Sequence, residues 1–502
     1  MLVDFEYRQS NLVVSYIAED GSIKMKHYPW KRPRNFGITT PDDHDKHPHY
    51  KTWDGRPVKW QFTSNPDRYA VYEYLDRLDE EEQELIFGFQ EPQMFFMDIE
   101  TEIVDTGFVE PVDATTKVQT ISIVCGKKVL LLGLKPINLH DQIWIKQELL
   151  KHFEKLGIEF EMKYLSFHNT ENPEYEMLHY LFTKLIPKMP VITGWNFVNY
   201  DWVFLTNRCR RLGIEPELAS FTKKLTKSNR FPEELPYHRL IVDYMDLYNK
   251  WDTSIKIKES SSLDYVGEKI LNIPKVSYTG SLQDLYVQDF KKYLFYNAAD
   301  SVIVQAIHNK MKYINVVLGI SNLSRIRMID AFSTLATTEG MLRRDFREKK
   351  NIVFCKDFNR PENLDKVLGG YVKFPIQGMN KWVAIFDFAS LYPTTQMQNN
   401  IAPEGFKGIR IDEKWCGFNG KRSEILPDDI VLKWEAERGP EDARYLVEGE
   451  AIFSREASVT VEFLSNTYAG RQKYKKQMMI KKEELNKKQA ELKELENLLD
   501  LS

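Results

Sequence analysis

The sequence predicts an α/β multidomain protein, and three observations carry that prediction. At 502 residues the chain is too long for one hydrophobic core, so two to four domains are expected. Strand-like apolar runs alternate with helical patterns through the middle of the chain, the texture of an α/β layer around a mixed sheet. From Arg471 to the end, 32 residues contain neither Gly nor Pro and are dominated by Lys, Glu, Gln and Leu, which predicts a long C-terminal helix. The expected division is a small α/β N-terminal domain over 1–92, completed by about 312–357, a larger α/β domain over 93–311, a third segment over 358–457 and the helical end over 458–502.

The N-terminal segment mixes strand-like runs (NLVVSYIA, AVYEYL) with a stretch over 29–50 rich in Pro, Asp and His, read as a surface loop. QMFFMDIETE is a short apolar run ending in acids. QTISIVCGKKVLLLG is strand-like, and helical patterns follow near 143–156 and 174–187. VITGWN reads as a strand, with a helix through 201–212, and 284–317 reads as helix almost throughout. After 360, GGYVKFP, WVAIFDFASLYP and DDIVLKWEAE contain strand-like runs separated by turns. No internal repeat is present.

Composition narrows the classes. Aromatics reach 13%, which fits either large cores or surfaces that stack on bases. The net charge of −4 gives no hint of a nucleic-acid partner, so any such surface must be a local concentration of Lys and Arg. Cys125, Cys209, Cys355 and Cys416 lie far apart with no CxxC pair, which argues against a zinc site or disulfide framework and for a reducing compartment. The N-terminus has no apolar signal region, and no apolar stretch approaches the 18 residues of a membrane span.

Three acidic segments carry chemistry when taken together. Asp98 and Glu100 sit two apart after MFFM, so on a strand both carboxylates share a face. Asp201 ends GWNFVNYD, residues 194–201. Tyr296 and Asp300 are four apart in YNAAD and share a face of a helix. Each segment alone reads as a solvated strand end or helix surface. The combination DxE, NxxxYD, YxxxD within about 200 residues resembles the proofreading domain of family B DNA polymerases, a DEDDy-type 3′–5′ exonuclease. That resemblance implies an RNase H-like fold for 93–311. It also implies Asp98, Glu100, Asp201 and Asp300 as metal ligands, with Tyr296 orienting the attacking water and Asn196 in support. Phosphodiester hydrolysis by two divalent ions, Mg²⁺ or Mn²⁺, suits such a set, because hard cations prefer carboxylate oxygen and paired ions can activate water and stabilise the leaving oxygen.

A second constellation, IFDFASLYPTTQMQNN over 385–400, resembles the family's motif A, with Thr394 where Ser is usual. The resemblance implies that Asp387 binds both catalytic metals of the polymerase site and the Phe388 carbonyl binds one. The backbone over Ser390, Leu391 and Tyr392 would meet the triphosphate, and the Tyr392 ring would lie under the sugar. GGYVKFP, residues 369–375, loosely resembles a template-touching linker. Arg471 and Lys475, one turn apart, match the start of the fingers helix, whose cations hold nucleotide phosphates. On this reading 358–457 begins the palm and 458–502 the fingers.

The family's second catalytic aspartate, in a DTDS hairpin, has no counterpart. WDTS (251–254) and VDAT (112–115) precede motif A and lack the second Asp. SNTYAG (465–470) precedes the Arg/Lys helix and cannot be motif B. The chain is therefore expected to be the N-terminal half of a split polymerase of a tailed bacteriophage, working in the cytoplasm of the infected host. Its expected partners are primer–template and single-stranded DNA, dNTPs, and a separate C-terminal chain bringing the second aspartate and thumb. A truncated single-chain polymerase is the alternative reading of the same ending. Met478, Leu485, Leu492 and Leu499 recur every seven residues, an apolar seam for a returning helix. Lys223, Lys224, Lys227 and Arg230 form a basic cluster that could meet DNA. Binding to the protein's own mRNA as a translational repressor is the alternative expectation for a binding protein.

Overall fold

A computed structural model describes residues 1–39, 49–53, 55–104, 109–227, 234–252, 259–274, 276–355, 373–374, 377–379, 381–388, 390–411, 414–418, 422–425, 451–453 and 456–500. The chain forms two compact units, one from 1–32 and 72–341, the other from 33–71 and 342–502.

The first unit opens with an antiparallel sheet of β1 (Leu2–Arg8), β2 (Asn11–Ile17) and β3 (Ile23–Pro29). Its main body is a six-stranded mixed sheet. The strands are β6 (Met94–Thr101), β7 (Val118–Cys125), β8 (Lys128–Gly133), β9 (Glu161–Ser166), β10 (Val191–Gly194) and β13 (Leu240–Asp243), in the order β13-β10-β6-β7-β8-β9. β10 runs parallel to both β6 and β13, while β7 runs antiparallel to both its neighbours, β6 and β8. QTISIVCGKKVLLLG is thus not one strand but two, folded back at a turn where Gly126 takes a left-handed φ of 59°.

Local rules explain the helices around this sheet. Asn172 caps α4 (Pro173–Tyr180) by accepting from the Tyr175 amide, with Pro173 in the first turn where its missing N–H costs nothing. α8 (Leu282–Gln288) begins with a reciprocal capping box between Ser281 and Asp284. α9 (Phe290–Met311) packs on β6 and β7, and Lys312 in left-handed conformation separates it from α10 (Tyr313–Ser324). The core against the sheet includes Met97, Ile121, Leu132, Phe182, Phe197 and Trp202.

AVYEYL belongs to a helix, α1 (Arg68–Leu75), not a strand. Val71 and Leu75 are both buried four residues apart, a helical period that a run this short does not separate from alternation.

The second unit contains the hairpin of β4 (Arg34–Ile38) and β5 (Val58–Phe62), so 29–50 holds a strand as well as loop. Phe36, Tyr50, Val58 and Val353 form a small core there. Further on come α12 (Leu391–Gln398) and an antiparallel sheet in the order β16-β15-β14-β17, built from β14 (Phe406–Ile411), β15 (Lys414–Phe418), β16 (Arg422–Ile425) and β17 (Ala451–Phe453). The terminal helix, α13 (Val459–Asp500), is 42 residues long and starts twelve residues earlier than Gly/Pro absence alone placed it. Glu404 fixes its start, accepting from the Thr460 amide at 2.8 Å and hydroxyl at 3.0 Å.

One reading fails here. WVAIF is not a strand: residues 383–388 carry no regular structure, and Trp382 (99%), Ile385 (90%) and Phe386 (92%) are almost fully exposed. A strand needs a neighbour for its ladder, and none of the described strands flanks this run. DDIVLKWEAE and most of GGYVKFP lie outside the described residues.

Candidate active site

The acids converge at the centre of the mixed sheet. Asp98 and Glu100 alternate along β6, so they project from one face. α9 crosses that face and adds Asp300. One carboxylate oxygen from each of Asp98, Glu100 and Asp300 lies within 4.8 Å of the others, close enough to share a cation. Asp201 lies beside them: its carboxylate accepts the Ile99 amide at 3.0 Å, and its charge acts on Asp98.

Asp201 does not open a regular helix. It sits in a π-helical turn, Val198–Trp202, ahead of α5 (Val203–Arg211), and the Trp202 amide reaches back to the Phe197 carbonyl at 2.8 Å. Such turns carry an extra residue and re-aim side chains. The end of β10, just ahead of this turn, approaches β6 so closely that a Cβ on Gly194 would stand 2.3 Å from the Met97 carbonyl oxygen, so only glycine fits.

Burial raises the Asp98 carboxyl well above the usual carboxylate range, and Asp201, Glu100 and Asp300 push in the same direction. The Asn297 amide opposes them by donating to Asp98 Oδ2 at 2.7 Å. Burial likewise raises Asp201, against the Ile99 N–H that favours its charged form. These are the signs expected when desolvation and like charges outweigh hydrogen bonding. Tyr296 is buried on α9, and burial with the charges of Asp300, Glu100 and Asp98 drives its hydroxyl far above the ordinary tyrosine range.

Two residues of this site were not singled out by the sequence. Asn297 is one; its position three residues before Asp300 in YNAAD was the available signal. The other is Asp243, fully buried at the end of β13. Its carboxylate accepts the amides of Asn196 at 3.0 Å, Val198 at 3.2 Å and Met245 at 2.9 Å. It thereby pins the turn that delivers Asp201 and holds Asn196 in its left-handed φ of 59°. LIVD is an apolar run ending in an acid, the same signal that marked Asp98.

A buried ion pair braces the unit behind the acids. Arg208 on α5 forks onto Glu174 with contacts of 2.8 and 2.7 Å, and Glu174 also accepts the Val118 amide at the start of β7.

The basic cluster is dispersed. Lys224 pairs with the buried Glu6, Lys223 is exposed, Lys227 lies in the short strand β11 (Leu225–Lys227) paired with β12 (Glu234–Pro236), and Arg230 lies outside the described residues.

In the second unit, Asp387 and Phe388 lie in the exposed run. Ser390 takes a left-handed φ of 55° and precedes α12, which begins at Leu391; Tyr392 is 76% exposed. Arg471 on α13 donates to Ser390 Oγ at 3.3 Å, so those two residues do meet, while Lys475 is exposed one turn further on. On α13 the seam residues Met478, Leu485 and Leu492 are each more than half exposed; the Leu499 side chain lies outside the described residues. Among the described residues no helix is long and apolar enough to cross a membrane.

Comparison with known proteins points one way. Residues 71–266 match the family described as DNA polymerase family B, exonuclease domain, and residues 333–497 match DNA polymerase family B. Together they take in more than half of the chain. A DNA-directed DNA polymerase of Escherichia phage RB69 is 30% identical over 230 residues, 44% of this chain and 25% of the relative. The DNA-directed DNA polymerase of Enterobacteria phage T4 is 26% identical over the same shares. The DNA polymerase catalytic subunit of Human herpesvirus 7 is 25% identical over 274 residues, 48% of this chain and 25% of that one. The matched region thus spans about a quarter of the length of these relatives.

Proposed function

The chain belongs to DNA polymerase family B, and from that premise we propose that its first unit is a 3′–5′ exonuclease acting on DNA ends. The observation that carries the proposal is the meeting of Asp98, Glu100 and Asp300 oxygens within 4.8 Å, with Asp201 beside them. These are hard oxygen donors of the kind Mg²⁺ and Mn²⁺ prefer. Their crowding and burial fit a bound cation, because opposite charge relieves both costs. Asp98, Glu100, Asp201 and Asp300 would hold the ions, some through water. When bound, divalent ions activate water and stabilise charge on the phosphate.

The residues themselves perform the rest. Tyr296 keeps its proton at any physiological pH, so it orients a water by hydrogen bonding and does not act as a base. Asp243 and Asn196 hold the turn that presents Asp201. The test is degradation of a 5′-labelled single-stranded oligonucleotide with Mg²⁺ or Mn²⁺ and its loss in EDTA. Unchanged degradation by Asp98→Ala would overturn the assignment.

We further propose that the second unit is half of a nucleotidyl-transfer site. Asp387 and the Phe388 carbonyl are its metal ligands, the Ser390–Tyr392 backbone meets the dNTP, and Arg471 and Lys475 bind its phosphates. The Arg471–Ser390 hydrogen bond supports this grouping. The exposed run from Trp382 to Phe388 and the open seam on α13 support a missing cover, since contiguous apolar surface of this kind marks an interface. We assign that cover to a separate C-terminal chain carrying the second aspartate and thumb, in the cytoplasm of an infected bacterium. A continuation of the same chain is the alternative. Primer extension should be absent with this chain alone and appear on mixing with the partner; extension by the chain alone contradicts the reading.

A further inference from the structure

Among the described residues, the Asn297 side chain makes its hydrogen bonds to Asp98 of the acidic cluster. The residue is fully buried on α9. Its Nδ2 donates to Asp98 Oδ2 at 2.7 Å and lies 3.4 Å from the Asp98 carbonyl. Its Oδ1 is buried with no hydrogen-bond partner among the described residues.

The backbone of Asn297 is fixed as firmly as its side chain. Ser122 Oγ donates to the Asn297 carbonyl at 2.9 Å and lies 2.5 Å from Ser301 Oγ. Ser122 is the cross-strand neighbour of Asp98. A closed loop of contacts therefore runs from β6 to β7, across to α9 and back to Asp98. An amide suits the inner position because it donates a hydrogen bond without adding a fifth negative charge.

We propose that Asn297 is a positioning residue for the nuclease: it holds the Asp98 carboxylate in the orientation that ligates a divalent cation. This inference rests on the two-metal reading above. It predicts that Asn297 acts through ion affinity and leaves contact with DNA untouched.

The test is Mn²⁺ binding to the full chain, measured by the loss of the free-ion electron paramagnetic resonance signal, alongside hydrolysis of a single-stranded oligonucleotide. In Asn297→Ala the Mn²⁺ Kd and the half-activating Mn²⁺ concentration should both rise about 10–100-fold, the range for partners that orient a ligand. KM for the oligonucleotide should not change, and saturating Mn²⁺ should restore most of kcat. In an Asp98→Asn background the Asn297→Ala change should add no further loss of ion affinity, because the group it acts through is already gone. Asn297→Ser, whose hydroxyl is too short to reach Asp98, gives the same readout should the alanine variant fail to fold. Unchanged Mn²⁺ affinity in a folded variant, or equal losses in both backgrounds, would overturn the inference. If the unsubstituted chain bound no Mn²⁺ and hydrolysed nothing, the two-metal reading itself would fall instead.

Discussion

Replacing Asp98 by Asn should stabilise the ion-free protein, the opposite of what removing a buried hydrogen-bonded group usually does. The substitution keeps the size of the side chain and an acceptor for Asn297, but removes one charge. Asp98, Glu100 and Asp300 present oxygens within 4.8 Å of one another. At that distance and an effective dielectric of ~20, two ionised carboxylates repel by about 3 kcal/mol. The substitution relieves two such pairs, while the native site already avoids part of the cost by holding a proton on the cluster. Relief of one full pair raises the Tm of a unit of this size by roughly 5 °C. The sign with pH follows from the raised Asp98 pKa. The folded state retains the proton to higher pH than the unfolded chain does, so the native protein loses stability as pH rises above the unfolded value. The gap between variant and native protein should be widest near pH 8 and close toward pH 4. With Mn²⁺ the gap should narrow, since a cation at 100 times its Kd adds about 2.7 kcal/mol to a protein that binds it. Thermal unfolding in EDTA and in Mn²⁺, at pH 8 and pH 5, reads all four cases. A variant no more stable than the native protein in EDTA, or an equal Mn²⁺ response in both, would refute the reasoning.

Three further outcomes are expected. Arg208→Ala strands the buried Glu174 carboxylate and should destabilise the first unit by about 3–5 kcal/mol in urea unfolding; the Glu174→Ala, Arg208→Ala double variant should lose less than the two single variants combined. Asp243 is pushed up to about 6, by burial first and by Asp246 second, against the three amides it accepts. Its contribution should therefore make stability fall as pH rises from 4 to 6, and the pH profile of Asp243→Asn should differ in slope within that window. Leu485→Lys, at a position 55% exposed on α13, should leave the Tm of this chain within about 1 °C, yet abolish primer extension in the mixture with the C-terminal chain.

The meeting of Asp98, Glu100 and Asp300 was legible in the sequence because each sits at a position that regular structure fixes. Alternation along β6 orients Asp98 and Glu100, and the four-residue period of α9 orients Tyr296 and Asp300. The π-turn around Asp201 was not legible, because nothing in the spacing of GWNFVNYD distinguishes an extra residue in the turn from an ordinary helix start. Asn297 and Asp243 escaped for a related reason: their roles depend on which amides and carboxylates tertiary packing brings to them, which no local period encodes. WVAIF failed differently. Its apolar pattern is a genuine strand signal, but pairing is non-local, and the described residues provide no strand for it to join. The helix from Arg471 was sound, and its early start depends on Glu404, some fifty residues upstream.

The central claim is that carboxylates from three distant segments gather divalent ions. Anomalous diffraction from a crystal of this chain soaked in Mn²⁺ tests it most directly. Two peaks about 3.5–4 Å apart, within ligand distance of Asp98, Glu100, Asp201 and Asp300, are the expected result. An ordered site with those side chains in place and no anomalous density between them would contradict it.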